Sequence, residues 1–166
     1  MDRVYISPVV REDADELIAS NLKNRDYHSP WVSPFTDLAG FDYWYSRCCA
    51  GTVIGLVVRE ATSNQLVGVI NINEIVLGSF FSGYLGYYGY AAFAGRGFMT
   101  EALRLTIQYA FTDKGLHRLE ANIQPENLQS LALVRRCGFH KEGFSPRYLF
   151  INKEWRDHER WAIIRD

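Results

Sequence analysis

The stretch from Ala91 to Ala110 constrains this chain most, because a short glycine loop runs directly into a helical pattern. Gly95 and Gly97 flank Arg96, and glycines let a backbone turn tightly while leaving its N–H groups uncovered. From Phe98 onward, apolar residues recur at helical spacing. A bare loop that feeds a helix N-terminus is a ready anion site, and Arg96 adds a charge suited to a phosphate. The stretch predicts a phosphate-binding loop, with a plain tight turn before a helix as the alternative.

Two familiar phosphate motifs do not fit this loop. No Lys-Ser or Lys-Thr pair follows Gly97, which excludes a P-loop. The third glycine of the dinucleotide-binding fingerprint would fall at Thr100, so that motif is incomplete.

Length and composition favour one folded domain over residues 1–166, since 48% of the residues are hydrophobic. The net charge of −1 gives no general attraction to nucleic acid or to anionic membranes. No apolar run approaches the ~20 residues of a membrane span, and the N-terminus lacks a signal-peptide core. Three cysteines without redox or metal spacing fit a reducing cytoplasm, and the four histidines form no metal motif. We therefore expect a cytoplasmic monomer or homodimer without metal, and with neither a nucleic-acid nor a membrane partner.

The order of elements predicts a mixed α/β fold with a strand–helix–strand unit at its centre. Helices are expected from Glu12, over Phe41–Cys49, from Phe98 to about Lys114, and between Asn127 and Gly138, and the segment Asn24–Pro34 is expected to be a loop. The predicted strands are Val4–Val10, Thr52–Glu60, Gln65–Ile75, Ser82–Tyr90, His117–Ile123, Phe139–Ser145 and Trp155–Arg165.

Two features of this order leave alternatives open. Gly86 and Gly89 within a strand indicate either a bulge or a close approach by another group. Tyr27 and Trp31 lie in the predicted loop, where they either fill a core edge or wall a substrate site.

The segment from Ala92 to Gly97, AFAGRG, resembles the Gln/Arg-x-x-Gly-x-Gly/Ala motif of the GNAT acyltransferase superfamily, whose N–H groups hold the pyrophosphate of acetyl-CoA. Ala92 departs from the usual Gln or Arg but leaves the backbone cradle intact. Further segments resemble the ribosomal-protein N-terminal alanine acetyltransferases of the RimJ/RimL type. They are Asn24-Arg25, Pro30-Trp31, Pro34, Tyr84–Tyr87, Gly95–Leu103, Asn127 with Ser130, Cys137–Phe139, Glu142-Gly143 and Trp155–His158.

The resemblance implies a GNAT fold, in which a central mixed sheet splays between its fourth and fifth strands and is flanked by helices. The pantetheine arm of acetyl-CoA would lie in that gap, bonded to backbone around Tyr90 and Ala91. Asn127 and Ser130 share one face of a first helical turn and would point at the cofactor, although Asn127 also fits a plain N-cap. The implied cofactor-binding residues are Tyr90, Ala91, Ala92, Gly95, Arg96, Gly97, Phe98, Met99, Thr100, Asn127 and Ser130.

The implied reaction is direct transfer of an acetyl group from acetyl-CoA to a primary amine in a ternary complex. Ser130 is the first candidate for the acid that protonates the leaving thiolate, and Tyr148 is the next. Glu74 is the first candidate base, because it ends the strand that feeds the central one; the alternative is an ordinary exposed strand-end acid. Trp31, Tyr87 and Asp157 are expected to contact the substrate, and Tyr88 and His158 are further candidates for the site.

The acceptor amine has several alternatives. It is expected to be the N-terminal α-amine of a protein or peptide, such as a ribosomal protein, but a small amine (an antibiotic, a polyamine or an amino acid) is also possible. A wide groove would favour a peptide, and a closed acidic pocket would favour a polyamine. A non-catalytic acyl-CoA-binding domain is a further alternative. We interpret Cys137 as a packing residue rather than the nucleophile of a ping-pong enzyme.

Overall fold

The structure is a computed structural model that describes all 166 residues. Its strands are β1 Val4–Pro8, β2 Val53–Glu60, β3 Leu66–Val76, β4 Ser82–Gly89, β5 Arg118–Ile123, β6 His140–Ile151 and β7 Glu154–Ile164. They form one seven-stranded sheet in the order β1-β2-β3-β4-β5-β7-β6. Every neighbouring pair is antiparallel except β4 and β5, which are parallel. The predicted mixed α/β sheet is confirmed.

Helices cover both faces of the sheet. They are α1 Ala14–Lys23, α2 Arg25–His28, α3 Leu38–Cys49, α4 Phe98–Gln108 and α5 Leu128–Arg136. A short 3-10 turn precedes α1, another precedes the glycine loop, and a π-helical turn continues α4 to Asp113. None of the helices combines the length and the apolar character that crossing a membrane requires.

The core has two parts, one on each face of the sheet. The larger part packs α4 and α5 against β3 side chains such as Ile70 and Ile72. The smaller part packs α1 and α3 against the opposite face, at Val69. This division follows from strand geometry, because successive side chains point to opposite faces.

The parallel pair β4–β5 separates along its length. Its pairing runs from Ser82 to Leu85 on β4. Beyond Leu85, β4 continues to Gly89 beside β3 alone, while β5 continues to Ile123 beside β7. The predicted splay between the fourth and fifth strands is confirmed, and it opens the middle of the sheet. Helix α4 connects the two strands, as a parallel pair requires.

Two local predictions differ from the structure. The segment Asn24–Pro34 begins with a helical turn, α2, rather than a loop. The strand predicted to end at Ser145 extends to Ile151, because a register irregularity between Ser145 and Leu149 lets the strand continue past Pro146. The Ser145-Pro146 pair is typical of a turn, which is why the sequence predicted that the strand ends there. The predicted turn at Asn152 and Lys153 is confirmed, and both residues have positive φ.

The bulge predicted as one possibility at Gly86 and Gly89 is wrong. The β3–β4 register is continuous from Gly68 opposite Gly89 to Asn73 opposite Tyr84. The alternative, a close approach, applies to Gly89, where a Cβ atom would lie 3.2 Å from Cγ of Met99. Gly68 and Gly89 therefore leave room for the Met99 side chain of α4 between the sheet and the helix.

Candidate active site

A cavity of about 1070 Å³ occupies the gap that the separation of β4 and β5 creates. Its walls come from the end of β4, the end of β5, the glycine loop, the first turns of α5, the segment from Tyr27 to Val32, and the β6–β7 hairpin. These elements are far apart in the sequence, and the splayed sheet brings them together.

The cavity has two ends, because β4 side chains alternate between the two faces of the sheet. Tyr87 packs with the larger core on the α4–α5 face, which we call the cofactor end. Tyr88 packs with the smaller core on the α1–α3 face, which we call the acceptor end. Tyr84 lies an even number of residues from Tyr88 and so faces the acceptor end. A molecule held at one end can therefore reach the other only through the gap.

The glycine loop forms the cofactor end. Gly95 and Gly97 have φ values of 74° and 79°, which favour glycine, and Gly97 is the N-cap of α4. No backbone N–H from Gly95 to Thr100 donates a hydrogen bond within the chain, since the first such bond of this helix runs from Glu101 to Gly97. The consecutive uncovered donors lie at a helix N-terminus, where the dipole favours an anion. The predicted phosphate cradle is thus present in geometry, and it fits the pyrophosphate of a coenzyme A.

The positive charge at this cradle comes from a residue that the sequence analysis missed. Arg96 turns away from the cavity, with its guanidinium 4.6 Å from the Phe98 ring centroid and 3.8 Å from Glu60. Arg136 of α5 lines the cavity instead, and its Nη2 donates to Oγ1 of Thr100 at 3.3 Å. The basic last turn of α5 was a visible signal, but only packing shows which arginine faces the loop.

A pair of hydroxyls joins β4 to α5 beside the cradle. Oη of Tyr87 and Oγ of Ser130 are 2.5 Å apart, and both residues line the cavity. Burial raises the pKa of Tyr87 to about 12, and the hydrogen bond with Ser130 offsets part of that rise. Oδ1 of Asn127 accepts from the N–H of Ser130 at 3.3 Å, which confirms Asn127 as the N-cap of α5. The Tyr87–Ser130 pair is therefore fixed in position and stays protonated at neutral pH, so it can donate a proton.

Pantetheine is expected to bond to backbone around Tyr90 and Ala91, but the N–H groups of both residues already have partners within the chain. The N–H of Tyr90 donates to Val67 O at 3.0 Å, and the N–H of Ala91 donates to Oδ1 of Asn24 at 2.9 Å. Residues along a strand direct their N–H groups alternately to the two neighbouring strands. Since Tyr90 bonds to β3, the N–H groups of Tyr87 and Gly89 point into the gap. These two donors face the cavity, where a ligand can accept from them.

Buried polar residues of the first helices hold the end of β4 in place. Nε2 of His28 donates to the Gly89 carbonyl at 2.7 Å, and burial lowers the pKa of His28. Oδ1 of Asn21 accepts from Oη of Tyr90 at 2.7 Å. Asn21 and His28 were not expected at the site, and Asn24 was noted only as part of the resemblance. A signal for all three exists, because they continue the buried stripe of Leu17 at helical spacings. Polar residues on such a stripe need buried partners.

The remaining predicted site residues divide into two groups. The residues that line the cavity are Trp31, Tyr87, Tyr90, Gly95, Gly97, Met99, Thr100, Asn127 and Ser130. Those that lie outside its lining are Glu74, Ala91, Ala92, Arg96, Phe98, Tyr148 and Asp157.

The outlying candidates for chemistry have other contacts. Glu74 is exposed and pairs with Arg47 at 3.1 Å. Oδ1 of Asp157 accepts from the N–H of Arg147 at 2.8 Å and so secures the β6 irregularity. The Tyr148 ring lies 6.1 Å from the ring of His158, which does line the cavity. Cys137 is buried in the core, which confirms its interpretation as a packing residue.

Comparison with known proteins agrees with this geometry. The acetyltransferase (GNAT) domain family matches residues 3–140. The chain is 31% identical to a probable N-acetyltransferase, YjcK, of Bacillus subtilis, over 97% of this chain and 93% of the relative. It is 33% identical to the [ribosomal protein uS5]-alanine N-acetyltransferase of Escherichia coli, over 98% and 88%. A spermidine N(1)-acetyltransferase of Vibrio cholerae is 30% identical, over 93% and 90%.

Two solved structures share the fold over almost the whole chain. The ribosomal-protein-S5-alanine acetyltransferase of Vibrio fischeri superimposes with a TM-score of 0.89 at 25% identity, over 100% of this chain and 95% of that one. Mycobacterium smegmatis RimJ in complex with CoA-disulfide superimposes with a TM-score of 0.88 at 28% identity, over 97% of this chain and 81% of that one. Cavity, cradle and comparisons converge: the chain belongs to the acetyltransferase (GNAT) family and is an N-acetyltransferase that uses acetyl-CoA.

Proposed function

We propose that this enzyme acetylates the N-terminal α-amine of a peptide or protein, for example a ribosomal protein. The observation that carries the proposal is the chemistry of the acceptor end. The ionisable side chains in the cavity lining are tyrosines, two histidines and Arg136, so no carboxylate faces the bound amine. A polyamine carries several positive charges, and burying them without carboxylates is costly.

The acceptor end suits a chain that carries one amine. Tyr27 and Trp31 wall it on one side, and Leu149 and Phe150 of β6 wall it on the other. Trp31 is half-buried and Tyr27 is exposed, so the wall continues to the surface. A peptide can enter with its first residue between these walls while the rest of its chain stays outside. The similarity to an enzyme named for an alanine N-terminus on a ribosomal protein supports the same assignment.

An α-amine also demands less of the site than a lysine amine does. The α-amine has a pKa of roughly 7.7–8.0, against roughly 10.4 for lysine. This gap of about 2.5 units corresponds to about 3.4 kcal/mol of deprotonation cost at neutral pH. A site without a carboxylate can meet the smaller demand.

The residues of this chain then have distinct tasks. Acetyl-CoA, when bound, supplies an acetyl group activated as a thioester. The N–H groups from Gly95 to Thr100, together with Arg136, hold its phosphates at the cofactor end. The N–H groups of Tyr87 and Gly89 polarise the carbonyl in the gap. The Tyr87–Ser130 pair gives a proton to the leaving sulfur.

The proposal is tested by measuring kcat/KM with acetyl-CoA and a panel of amines. The panel contains peptides with free N-terminal alanine or serine, the same peptides with a blocked N-terminus and one internal lysine, spermidine, and free alanine. We expect the free-N-terminus peptides to exceed the blocked peptides and spermidine by at least about 30-fold, close to 2 kcal/mol. A higher kcat/KM for spermidine or for free alanine would overturn the proposal and assign a small amine as the acceptor.

A further inference from the structure

The acceptor amine reaches the site largely as an ammonium, so a group at the acceptor end must take its proton. Glu74 lies outside the lining and pairs with Arg47. Burial raises the pKa of Tyr84, Tyr88 and Tyr90 above the usual tyrosine value, so their hydroxyls stay protonated. Arginine does not accept protons. The proton acceptors left in the lining are the two histidines, His28 and His158.

His28 is occupied. Its Nε2 donates to the Gly89 carbonyl, and its Nδ1 is sealed from the cavity, where it is the one buried side-chain polar atom without a partner. Neither nitrogen can therefore reach an amine in the gap without displacing the end of β4.

His158 lies on the side from which the amine enters. It is on β7, three residues before Trp161, and Trp161 packs into the α4–α5 core. Side chains alternate along a strand, so His158 faces the opposite side, which is the acceptor end. It lies one residue beyond the last β5–β7 pair, Ile123 with Glu159, at the end of β5 that lines the cavity.

The hydrogen bonds of His158 fix which nitrogen is free. Nδ1 lies 2.9 Å from the carbonyl oxygen of Arg156, and a carbonyl only accepts, so Nδ1 carries the hydrogen. Nε2 of the neutral ring is then a lone-pair acceptor. Nε2 has no partner within the chain and is not among the sealed atoms, although the residue is only 3% exposed. The small exposed part of His158 therefore opens onto the cavity that it lines.

The charged groups on the face of β7 that His158 shares are Arg156 and Arg160. Arg156 pairs with Glu154 at 3.1 Å, and Nη1 of Arg160 donates to Oγ of Ser145 at 3.4 Å.

Tyr148 of β6 packs edge-on against the His158 ring, and Tyr84 of β4 lies on the same side of the gap. The chain neighbours of His158, Asp157 and Glu159, point to the other face, where they contact the Arg147 N–H and Lys141 respectively. Ile123, the last residue of β5, and Gln124, which follows it, are uncharged.

From this arrangement we infer that His158 is the general base of the reaction, an inference that rests on the proposed function only in taking an amine as the acceptor. Nε2 accepts one proton from the ammonium and passes it to water. The amine nitrogen then bonds to the acetyl carbon while the carbon–sulfur bond breaks. The second proton that the nitrogen loses replaces the one that the Tyr87–Ser130 pair gives to sulfur. The products are an acetylated amine, a thiol and one released proton.

The kinetic experiment compares His158→Gln with His140→Gln, an exposed histidine on the adjoining strand of the same hairpin. The pH profile of kcat is measured for each at saturating acetyl-CoA and amine, since kcat reports groups that ionise in the bound complex. The amine is the one that gives the highest kcat/KM in the panel above. We expect the wild type and His140→Gln to share an ascending limb that reports one proton. His158→Gln should lose that limb and about 100-fold in kcat. A wild-type profile and rate in His158→Gln would overturn the inference.

A second measurement needs neither a variant nor turnover. In the cofactor-free wild type, ¹⁵N NMR of His158, assigned through backbone connectivities, should show a protonated Nδ1 and a free Nε2. The Nε2 signal should move when the amine is added. A protonated Nε2 in the neutral ring would overturn the inference. If spermidine has the highest kcat/KM in the panel, the proposal of an N-terminal α-amine as acceptor is overturned, while both measurements on His158 remain valid tests of the base.

Discussion

The two ends of the cavity are built from different parts of the chain. The phosphate cradle at the cofactor end is one continuous stretch from Gly95 to Thr100 that offers backbone N–H groups, with Arg136 of α5 beside it. The acceptor end is assembled from side chains at widely separated positions, such as Trp31, Phe150 and His158. The cofactor end depends on backbone conformation, and the acceptor end depends on which side chains converge.

This difference explains a feature of the family. Backbone ligands tolerate side-chain changes, so Ala92 can replace the usual polar residue without loss of the cradle. Side-chain walls change with every substitution, so the acceptor can differ among enzymes of one fold. The relatives of this chain include enzymes named for a ribosomal-protein alanine and for spermidine, at similar identity.

The largest expected effect is at the cofactor end. Gly97→Glu places a carboxylate among the uncovered N–H groups and a Cβ atom on a backbone with φ of 79°. We expect coenzyme A to bind at least about 100-fold more weakly, close to 2.7 kcal/mol. In the wild type, ligand at ~100 times the dissociation constant should raise the melting temperature by about 5–10 °C. Gly97→Glu should lose this shift at the same concentration.

Gly115→Glu is the matched control for the strained glycine. Gly115 has φ of 67°, nothing lies within 4 Å of its Cβ position, and it is outside the cavity. The assignment of the glycine loop as the phosphate cradle would be contradicted if Gly97→Glu kept the full ligand-induced rise in melting temperature. It would also be contradicted if both variants lost that rise equally.

Removal of the proton donor should affect turnover and spare binding. Tyr87→Phe and Ser130→Ala each break the hydroxyl pair, and we expect kcat to fall by about 10–100-fold with little change in coenzyme A affinity. Because the pKa of Tyr87 is raised to about 12, this donor stays protonated below that pH. Wild-type activity should therefore show no loss from Tyr87 ionisation up to about pH 10. Unchanged thiol release by both variants would remove the pair from the reaction.

A change at the acceptor end should leave the cofactor end intact. Trp31→Ala removes one wall, and we expect the KM for a peptide to rise about tenfold, close to 1.4 kcal/mol, while coenzyme A affinity stays constant. Tyr43→Ala removes an aromatic ring that is 70% exposed on α3, outside the cavity, and should change neither value. An unchanged KM in Trp31→Ala would mean that the amine enters elsewhere.

The smallest expected effect concerns His28, which donates a hydrogen bond to the Gly89 carbonyl at the end of β4. Burial lowers the pKa of His28 below its unfolded value of 6.5, so the unfolded chain binds a proton first as the pH falls. The contribution of His28 to the free energy of unfolding is complete above about pH 6.5. It is lost as the pH falls through the pKa of His28 in the folded state. Each kcal/mol lost lowers the melting temperature by about 2–4 °C. Melting between pH 5 and 8 should be less pH-dependent in His28→Gln, whereas His117→Gln, an exposed histidine, should keep the wild-type slope.

Much of the fold and the cofactor end follows from local sequence. Glycines at φ near +75°, the helical pattern after Phe98 and the N-cap at Asn127 act over a few residues, so the sequence shows them directly. The central strand–helix–strand unit, β4–α4–β5, follows for the same reason, whereas the order of the strands in the sheet depends on pairing between distant segments. Mistakes arose where a local signal misleads, as at Pro146, which the β6 irregularity accommodates.

By itself, then, the sequence determined a mixed α/β order of elements and a phosphate-binding loop, because those features depend on neighbours along the chain. The acetyltransferase fold followed from the resemblance of motifs spread over nearly the whole chain to a known family. Only the tertiary structure decided that Arg136 rather than Arg96 faces the loop, that Asn24 occupies the N–H of Ala91, and that His158 opens onto the gap. These outcomes depend on how side chains far apart in sequence pack across the splayed strands. No local pattern encodes that packing.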